Sequence, residues 1–257
     1  MAASRLVRRL REHDWLAALI ELAIVVFGIL IALQVSNWNQ DRIDHARANR
    51  YYARLHADLL TDLASIDEAN AFWTQVAGFG EQAMAYGENG TREKDSNWKT
   101  VLAYYQASQL YAFDLADTTF TEMRASGDLA LIGDESLRKR LADYYRLTDG
   151  GTRSDILRHN PVYRMQIRGL TPWHVQQYIW NHCWRQGEGA RQFLLDCKAP
   201  ISEQESAAIL DSYRRDPTVL DNLRTWMSMV QVSRIIVISI RPETSALIED
   251  VEKAQGK

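Results

Sequence analysis

Residues 15–38 read WLAALIELAIVVFGILIALQVSNW, and the 22 residues between the two tryptophans contain no Lys, Arg, Asp or Pro. A helix from Trp15 to Trp38 spans about 34 Å, which matches the ~30 Å hydrocarbon core of a bilayer. The two indoles then lie at the two membrane interfaces, where amphipathic aromatic rings are enriched. The segment therefore predicts a membrane-spanning helix with Trp15 and Trp38 as interface anchors and the lipid bilayer as a partner.

The segment follows a basic tail, residues 1–14, which is also how a signal peptide begins. A signal peptide has a shorter apolar region and an Ala-x-Ala cleavage pattern, whereas the exit of this segment, residues 33–38, reads LQVSNW. We therefore predict an uncleaved signal anchor. A buried core helix is the alternative, but its apolar face would be a stripe, and residues 16–33 are apolar on all sides except at Glu21.

Arginines lie on both sides of the anchor, so the positive-inside rule discriminates weakly between the two orientations. Long domains are translocated largely regardless of charge, and a short tail is the easier end to retain in the cytoplasm. We predict that residues 1–14 are cytoplasmic and that residues 39–257 form a domain outside the cytoplasm.

Cys183 and Cys197 are the two cysteines of the chain. In an oxidising compartment a pair at this spacing can form a disulfide that stabilises a local hairpin by roughly 3 kcal/mol. The alternative is two unpaired buried thiols. A disulfide would agree with the predicted location of the domain outside the cytoplasm.

Glu21 is the one ionisable residue inside the span, and an intramembrane carboxyl is a candidate functional group because its insertion is costly. Small residues lie on the same helical stripe, namely Ala17, Gly28 and Ala32. Such a stripe lets a second helix approach closely and receive a hydrogen bond. It predicts a packing surface for a second copy or another membrane protein, with snorkelling of Glu21 toward the interface as the alternative.

No proline precedes Pro161, and no glycine lies between Gly28 and Gly78, so the anchor is expected to continue as one helix to about residue 78. Apolar residues then recur every seven positions at Tyr52, Leu59, Ile66 and Trp73, which is typical of a helix that packs in a bundle. Glycines 78, 80, 87 and 90 predict a loop at the tip. Start signals for later helices are expected at Thr119, Asp134, Thr171, Ser202 and Asp216.

The last apolar stretch, residues 220–251, is expected to return antiparallel to the first helix, and residues 229–240 are too short for a second span and contain Arg234. The β-branched residues 235–240 would suit a strand, but no partner strand is visible in the sequence. The predicted fold class is therefore all-α: a transmembrane helix, residues 15–38, continues into a long helix of an antiparallel extracytoplasmic bundle, residues 39–257.

A catalytic constellation cannot be assembled from these residues, and the sequence lacks a phosphate-binding glycine loop, a nucleophile elbow and a zinc-protease helix. His174 and His182 are eight residues apart, about two turns along a helix, which is poor geometry for one metal ion. The residues after Trp38 are net acidic, which disfavours nucleic acid. We expect no enzyme activity, no cofactor and no metal.

Four aromatic residues lie close together in the sequence and could line a ligand pocket: Trp173, Tyr178, Trp180 and Trp184. The alternative is that these rings form the core of a small helical subdomain.

Two motifs carry a resemblance to a known family. Residues 21–39, ELAIVVFGILIALQVSNWN, and residues 119–145, with SGDLALI at 126–132, resemble an uncharacterised bacterial family of single-pass membrane proteins. Ile20 departs from that family's usual glycine before the glutamate. The resemblance implies an anchored helical domain, here in a bacterial inner membrane with a periplasmic domain, and implies no activity.

These patterns together favour a non-enzymatic membrane-anchored module that acts through self-assembly or partner binding. Two alternatives remain open: a sensor whose aromatic residues bind a small ligand, and an accessory subunit of an ion-driven or transport complex that uses Glu21.

Overall fold

The structure is a computed structural model that describes residues 3–111, 114–149, 160–188 and 191–256. The chain divides into two compact units, Met1–Tyr51 and Tyr52–Lys257. The division lies within a helix and comes later than the boundary after Trp38 that the sequence predicts. The second unit contains all the elements described below other than the first half of that helix.

Helix α1 comprises Ala3–Asn89 and is longer than predicted. The expected loop at glycines 78, 80 and 87 is wrong, because all three lie inside the helix. A glycine costs a helix only about 1 kcal/mol, which burial of the neighbouring Ala83 and Tyr86 offsets. The helix ends where Gly90 adopts a left-handed φ of 75° and its N–H reaches the Tyr86 carbonyl.

The remaining described elements follow in chain order, and two of the connections contain 3-10 turns, Glu93–Asp95 and Asp128–Leu131. The helices are α2 (Asn97–Ala107), α3 (Thr118–Ser126), α4 (Glu135–Asp149), α5 (Val162–Leu170), α6 (Trp173–His182), α7 (Glu203–Arg215) and α8 (Thr218–Ala254). The strands β1 (Trp184–Gln186) and β2 (Gln192–Leu194) pair antiparallel, with Arg185 opposite Phe193. The described residues are thus mostly helical, as predicted. The small β hairpin lies between Cys183 and Cys197, where a local hairpin was considered but no strands were assigned.

The last helix packs antiparallel to the first within the second unit, as predicted. Polar pairs connect the two helices, and their order along α1 is the reverse of their order along α8. The pairs are His56–Glu252 (2.9 Å), Asp67–Arg241 (2.8 Å) and Glu88–Arg224 (2.9 Å). Between these pairs the rings of Trp73 and Trp226 meet edge to face, with centroids 6.1 Å apart. Residues 235–240 lie in α8, so their interpretation as helix rather than strand is confirmed.

The apolar face of α1 forms one side of the core. Its predicted heptad residues Tyr52, Leu59, Ile66 and Trp73 are all buried. Asp62 is also fully buried on this helix. A carboxyl therefore occupies a core position between Leu59 and Ile66.

Two of the five predicted start signals, Asp134 and Ser202, are the N-caps of their helices, whereas the signals at Thr171 and Asp216 lie one residue before the N-caps Pro172 and Pro217. Ser202 and Glu205 form the expected capping box at the start of α7. Asp134 accepts hydrogen bonds from the N–H groups of Ser136 and Leu137, as an N-cap does. The predicted capping box at Thr119 is wrong: α3 begins at Thr118, after Asp117.

Candidate functional site

The apolar segment of α1 has no cover among the described residues. Trp15 is 59% exposed and Trp38 is 65% exposed, and the described side chains between them are exposed as well. The mean hydropathy of this part of the helix is 2.4, and none of it is buried. The segment is long and apolar enough to cross a membrane, and an uncovered apolar surface of this size marks a region that contacts lipid or another protein.

The predicted packing stripe lies within this helix. Because a helix turns about 100° per residue, Gly28 and Ala32 both lie within about 20° of Glu21 around its axis. A methyl group placed on Gly28 would meet nothing within 4 Å, so the space over the stripe is open. Glu21 is exposed and forms no hydrogen bond or ion pair with any residue that the structure describes. The side chain of Ala17 lies outside the described part of the chain.

A polar collar follows the second tryptophan. The guanidinium carbon of Arg42 lies 5.9 Å from the centre of the Trp38 ring, and its Nη2 donates to Asn39 Oδ1 at 3.2 Å. Gln40 donates to Asp44 one turn further on, at 3.0 Å. The change from an apolar helix surface to a charged one within one turn is typical of a helix that leaves a bilayer.

Helix α8 meets the same criteria of length and apolarity, with a mean hydropathy of 1.2. One third of the residues in its apolar stretch are buried, and these include Val230 and Val237. Ion pairs to α1 and the buried Trp226 place this helix in the bundle core. We therefore interpret α8 as a core helix.

The structure does not bring the four aromatic residues of the predicted pocket together. Trp180 and Trp184 meet edge to face, with centroids 5.4 Å apart. Tyr178 instead contacts Trp98 and stacks on His182, at centroid distances of 6.2 and 4.2 Å. Trp173 is 67% exposed. A groove of about 340 Å³ beside α6 is lined by Leu170, Pro172, His174, Ile201, Glu205 and Ile209, among other residues, and by none of the four aromatic residues.

Cys183 and Cys197 are joined by a disulfide in the structure, with their Cα atoms 5.3 Å apart. The bond connects the end of α6 to the segment that precedes α7. Around it, the Trp98 indole and the Lys99 ammonium both donate to the Cys197 carbonyl, at 3.1 and 3.0 Å. These two hydrogen bonds connect the segment around Cys197 to the start of α2.

The buried carboxyl of Asp62 organises a polar cluster that the sequence analysis missed. Its Oδ1 accepts from the Ala116 N–H at 2.6 Å, and its Oδ2 accepts from the Tyr144 hydroxyl at 3.0 Å. Thr244 of α8 donates to the same Tyr144 hydroxyl at 3.1 Å. The heptad spacing gave a signal, because Asp62 falls between the core residues Leu59 and Ile66. The cluster joins α1, α4, α8 and the segment before α3.

The described residues contain no group of three or more His, Cys, Asp or Glu side chains arranged to hold a metal ion. His174 and His182 lie at opposite ends of α6. No family model, no curated protein and no solved structure matches the chain.

Proposed function

We propose that this chain is a membrane-anchored helical module that acts by associating with a second copy of itself or with another membrane protein. The anchor crosses the membrane once, with the N-terminus in the cytoplasm and the bundle in the periplasm of a bacterial cell. The observation that carries the proposal is the uncovered stripe of Glu21, Gly28 and Ala32 on an apolar helix.

The chemistry of the stripe favours association within the bilayer. Small residues allow two helix backbones to approach closely, and a carboxyl provides a hydrogen bond whose alternative is an unsatisfied polar group in hydrocarbon. A tether alone needs neither feature, since any apolar helix of this length would hold the bundle at the membrane. The disulfide supports the extracytoplasmic location of the bundle, because disulfides persist in oxidising compartments.

Crosslinking in native membranes tests the proposal, followed by affinity purification and mass spectrometry of the full chain. Ala32→Leu places a large side chain on the stripe and should reduce recovery of the crosslinked partner by about tenfold or more, the equivalent of ~1.4 kcal/mol. Ala23→Leu is the matched control, because Ala23 lies about 200° around the helix from Glu21. Recovery of the monomer alone from the wild type would refute the proposal.

A second variant separates packing from proton movement. Glu21→Gln keeps a hydrogen-bonding side chain and removes the ionisable group, so we expect it to retain both the partner and the ability to complement a strain that lacks the protein. If Glu21→Gln retains the partner but does not complement, Glu21 acts in an ion-driven complex instead. Glu21→Leu removes the hydrogen bond and should weaken association.

A further inference from the structure

Two arginines one turn apart on α5 point to a ligand site in the bundle. Arg164 and Arg168 are half-buried against the C-terminal end of α2. Arg164 Nη1 donates to the Ser108 carbonyl at 2.6 Å. Arg168 Nη1 donates to the Tyr105 hydroxyl at 2.6 Å, and its Nη2 donates to Gln109 Oε1 at 3.1 Å. Among the described residues, every acceptor of these two guanidinium groups is neutral.

Aromatic rings hold the second guanidinium in place. The Arg168 guanidinium carbon lies 4.5 Å from the centre of the Tyr105 ring and 5.2 Å from that of Trp180. Its Nε is buried and has no hydrogen-bond partner among the described residues. The group is therefore positioned by stacking, with hydrogen-bonding capacity left over.

The positive charge of the pair is not balanced within the described part of the chain. Neither guanidinium forms an ion pair with a carboxylate of a described residue. The C-terminus of α2 offers the equivalent of roughly −0.5 charge, against about two positive charges on the arginines. Burial lowers the pKa of both groups, that of Arg164 to about 10, and the charge of Arg168 lowers the pKa of Arg164 further. Both stay charged at neutral pH.

Other arginines of the bundle show the usual solution to this problem. Five of them contact carboxylates: Arg54 contacts Glu122, Arg140 contacts Glu243 and Asp250, Arg191 contacts Glu68, Arg224 contacts Glu88, and Arg241 contacts Asp67. Several of these are more exposed than Arg164 and Arg168, so water already screens their charge. The more buried pair needs a counter-ion more, and has none on a described residue.

We propose that Arg164 and Arg168 bind a small oxyanion, a carboxylate or a phosphate, at the junction of α2, α5 and α6. Two planar guanidinium forks match the paired oxygens of such groups better than they match a halide. The anion would complete the charge balance of a half-buried site, with the Trp180 and Tyr105 rings forming its walls. This site lies in the second unit and does not depend on the packing stripe of the anchor.

Thermal unfolding of the full chain in a non-ionic detergent tests the proposal, followed by tryptophan fluorescence. Sodium phosphate and sodium succinate are titrated at matched pH and ionic strength against sodium chloride, so that the two oxyanion classes are compared separately. A ligand that binds only the folded state raises Tm in a saturable way. We expect phosphate, succinate or both to raise Tm, and chloride to leave it unchanged.

Arg164→Gln and Arg168→Gln should each weaken the saturable response by about tenfold or more, since each removes a charge-assisted contact. Arg164→Lys keeps the charge and loses the planar fork, and it provides a test where a glutamine variant does not fold; it should weaken the response as well. Arg185→Gln is the matched control, because Arg185 also stacks on a ring, that of Phe193 at 4.5 Å, but is exposed.

Two results would overturn the proposal. The first is a wild-type Tm that responds equally to all three salts. The second is an oxyanion response that survives unchanged in the Arg164 and Arg168 variants.

Discussion

The stability of the bundle depends strongly on a few single side chains, and the buried carboxyl of Asp62 is the clearest case. Tyr144→Phe removes the hydroxyl that donates to Asp62 and accepts from Thr244. We expect the free energy of unfolding to fall by about 1–3 kcal/mol, because a buried charged acceptor loses a donor. Urea unfolding of the full chain in detergent measures the change.

Tyr178→Phe is the control for this prediction. Tyr178 is half-buried, and its hydroxyl forms no hydrogen bond with a described residue. Its loss should change the unfolding free energy by less than about 0.5 kcal/mol. Equal losses in the two variants would show that the Asp62 cluster does not stabilise the core.

Glu203 provides a residue-scale prediction with a pH dependence. Its carboxylate accepts from the Ser96 hydroxyl and the Asn97 N–H, both at 2.7 Å, and the Ser96 hydrogen bond is the main cause of its lowered pKa. Glu203→Gln should cost about 0.5–1 kcal/mol at pH 7, a small value because the group is exposed. A lowered pKa in the folded state means that this stabilisation is present above the unfolded value of about 4.3 and is lost as pH falls below it.

Urea unfolding of the two proteins at several pH values measures the difference, which should shrink below about pH 4. Glu249→Gln, at an exposed position of α8, is the control and should match the wild type throughout. A difference between wild type and Glu203→Gln that grows on acidification would contradict the assignment.

At the scale of elements, two glycines of α1 differ in their surroundings: one faces open space, and the other lies in close contact with a second helix. A methyl group on Gly78 would meet nothing within 4 Å, whereas one on Gly80 would lie 2.1 Å from the Met227 sulfur of α8. Gly78→Ala should therefore stabilise the chain by about 0.5–1 kcal/mol through helix propensity. Gly80→Ala should be less stable than Gly78→Ala by about 1 kcal/mol or more, because Met227 must move.

Thermal or urea unfolding of the two variants, side by side, measures this difference. They share the substitution, the helix and nearly the same position, so each is the control for the other. Equal stabilities would contradict the close approach of α1 and α8 at Gly80.

The same glycines show why the end of α1 could not be predicted. Gly78 and Gly80 were predicted to lie in a loop, yet the free-energy cost of a glycine in a helix is small beside the free energy gained by burying Ala83 and Tyr86. That burial depends on residues that are distant in the sequence. Local signals did succeed where the chemistry is local, as at the Ser202 capping box. Arg164 and Arg168 were missed because one turn of spacing is common in helices, and only the fold shows that no described carboxylate faces them.

At the scale of the whole molecule, the two units are expected to prefer different environments, lipid or detergent for the first and water for the second. Residues 52–257 contain the described core, whereas the uncovered apolar stretch lies in residues 1–51. A chain that lacks residues 1–51 should remain in the aqueous phase of a detergent phase separation and unfold cooperatively. The full chain should enter the detergent phase.

This measurement also tests the interpretation of α8, which is apolar enough to be a second span. Fractionation followed by gel electrophoresis gives the distribution of both chains. A truncated chain that still enters the detergent phase, with its helical content retained, would identify α8 as a membrane helix and contradict its place in the core.

The antiparallel pairing of α1 with α8 also sets the order of events during synthesis. His56 contacts Glu252, which is 196 residues away in the sequence, and Asp67 contacts Arg241, which is 174 residues away. At translation rates of ~5–20 residues per second, the last helix follows the first by roughly 10–40 s. During that interval the apolar face of α1 that ends on Trp73 lacks the partner that will cover it. A newly made chain is thus exposed to aggregation during this interval, and a chaperone has time to bind this face.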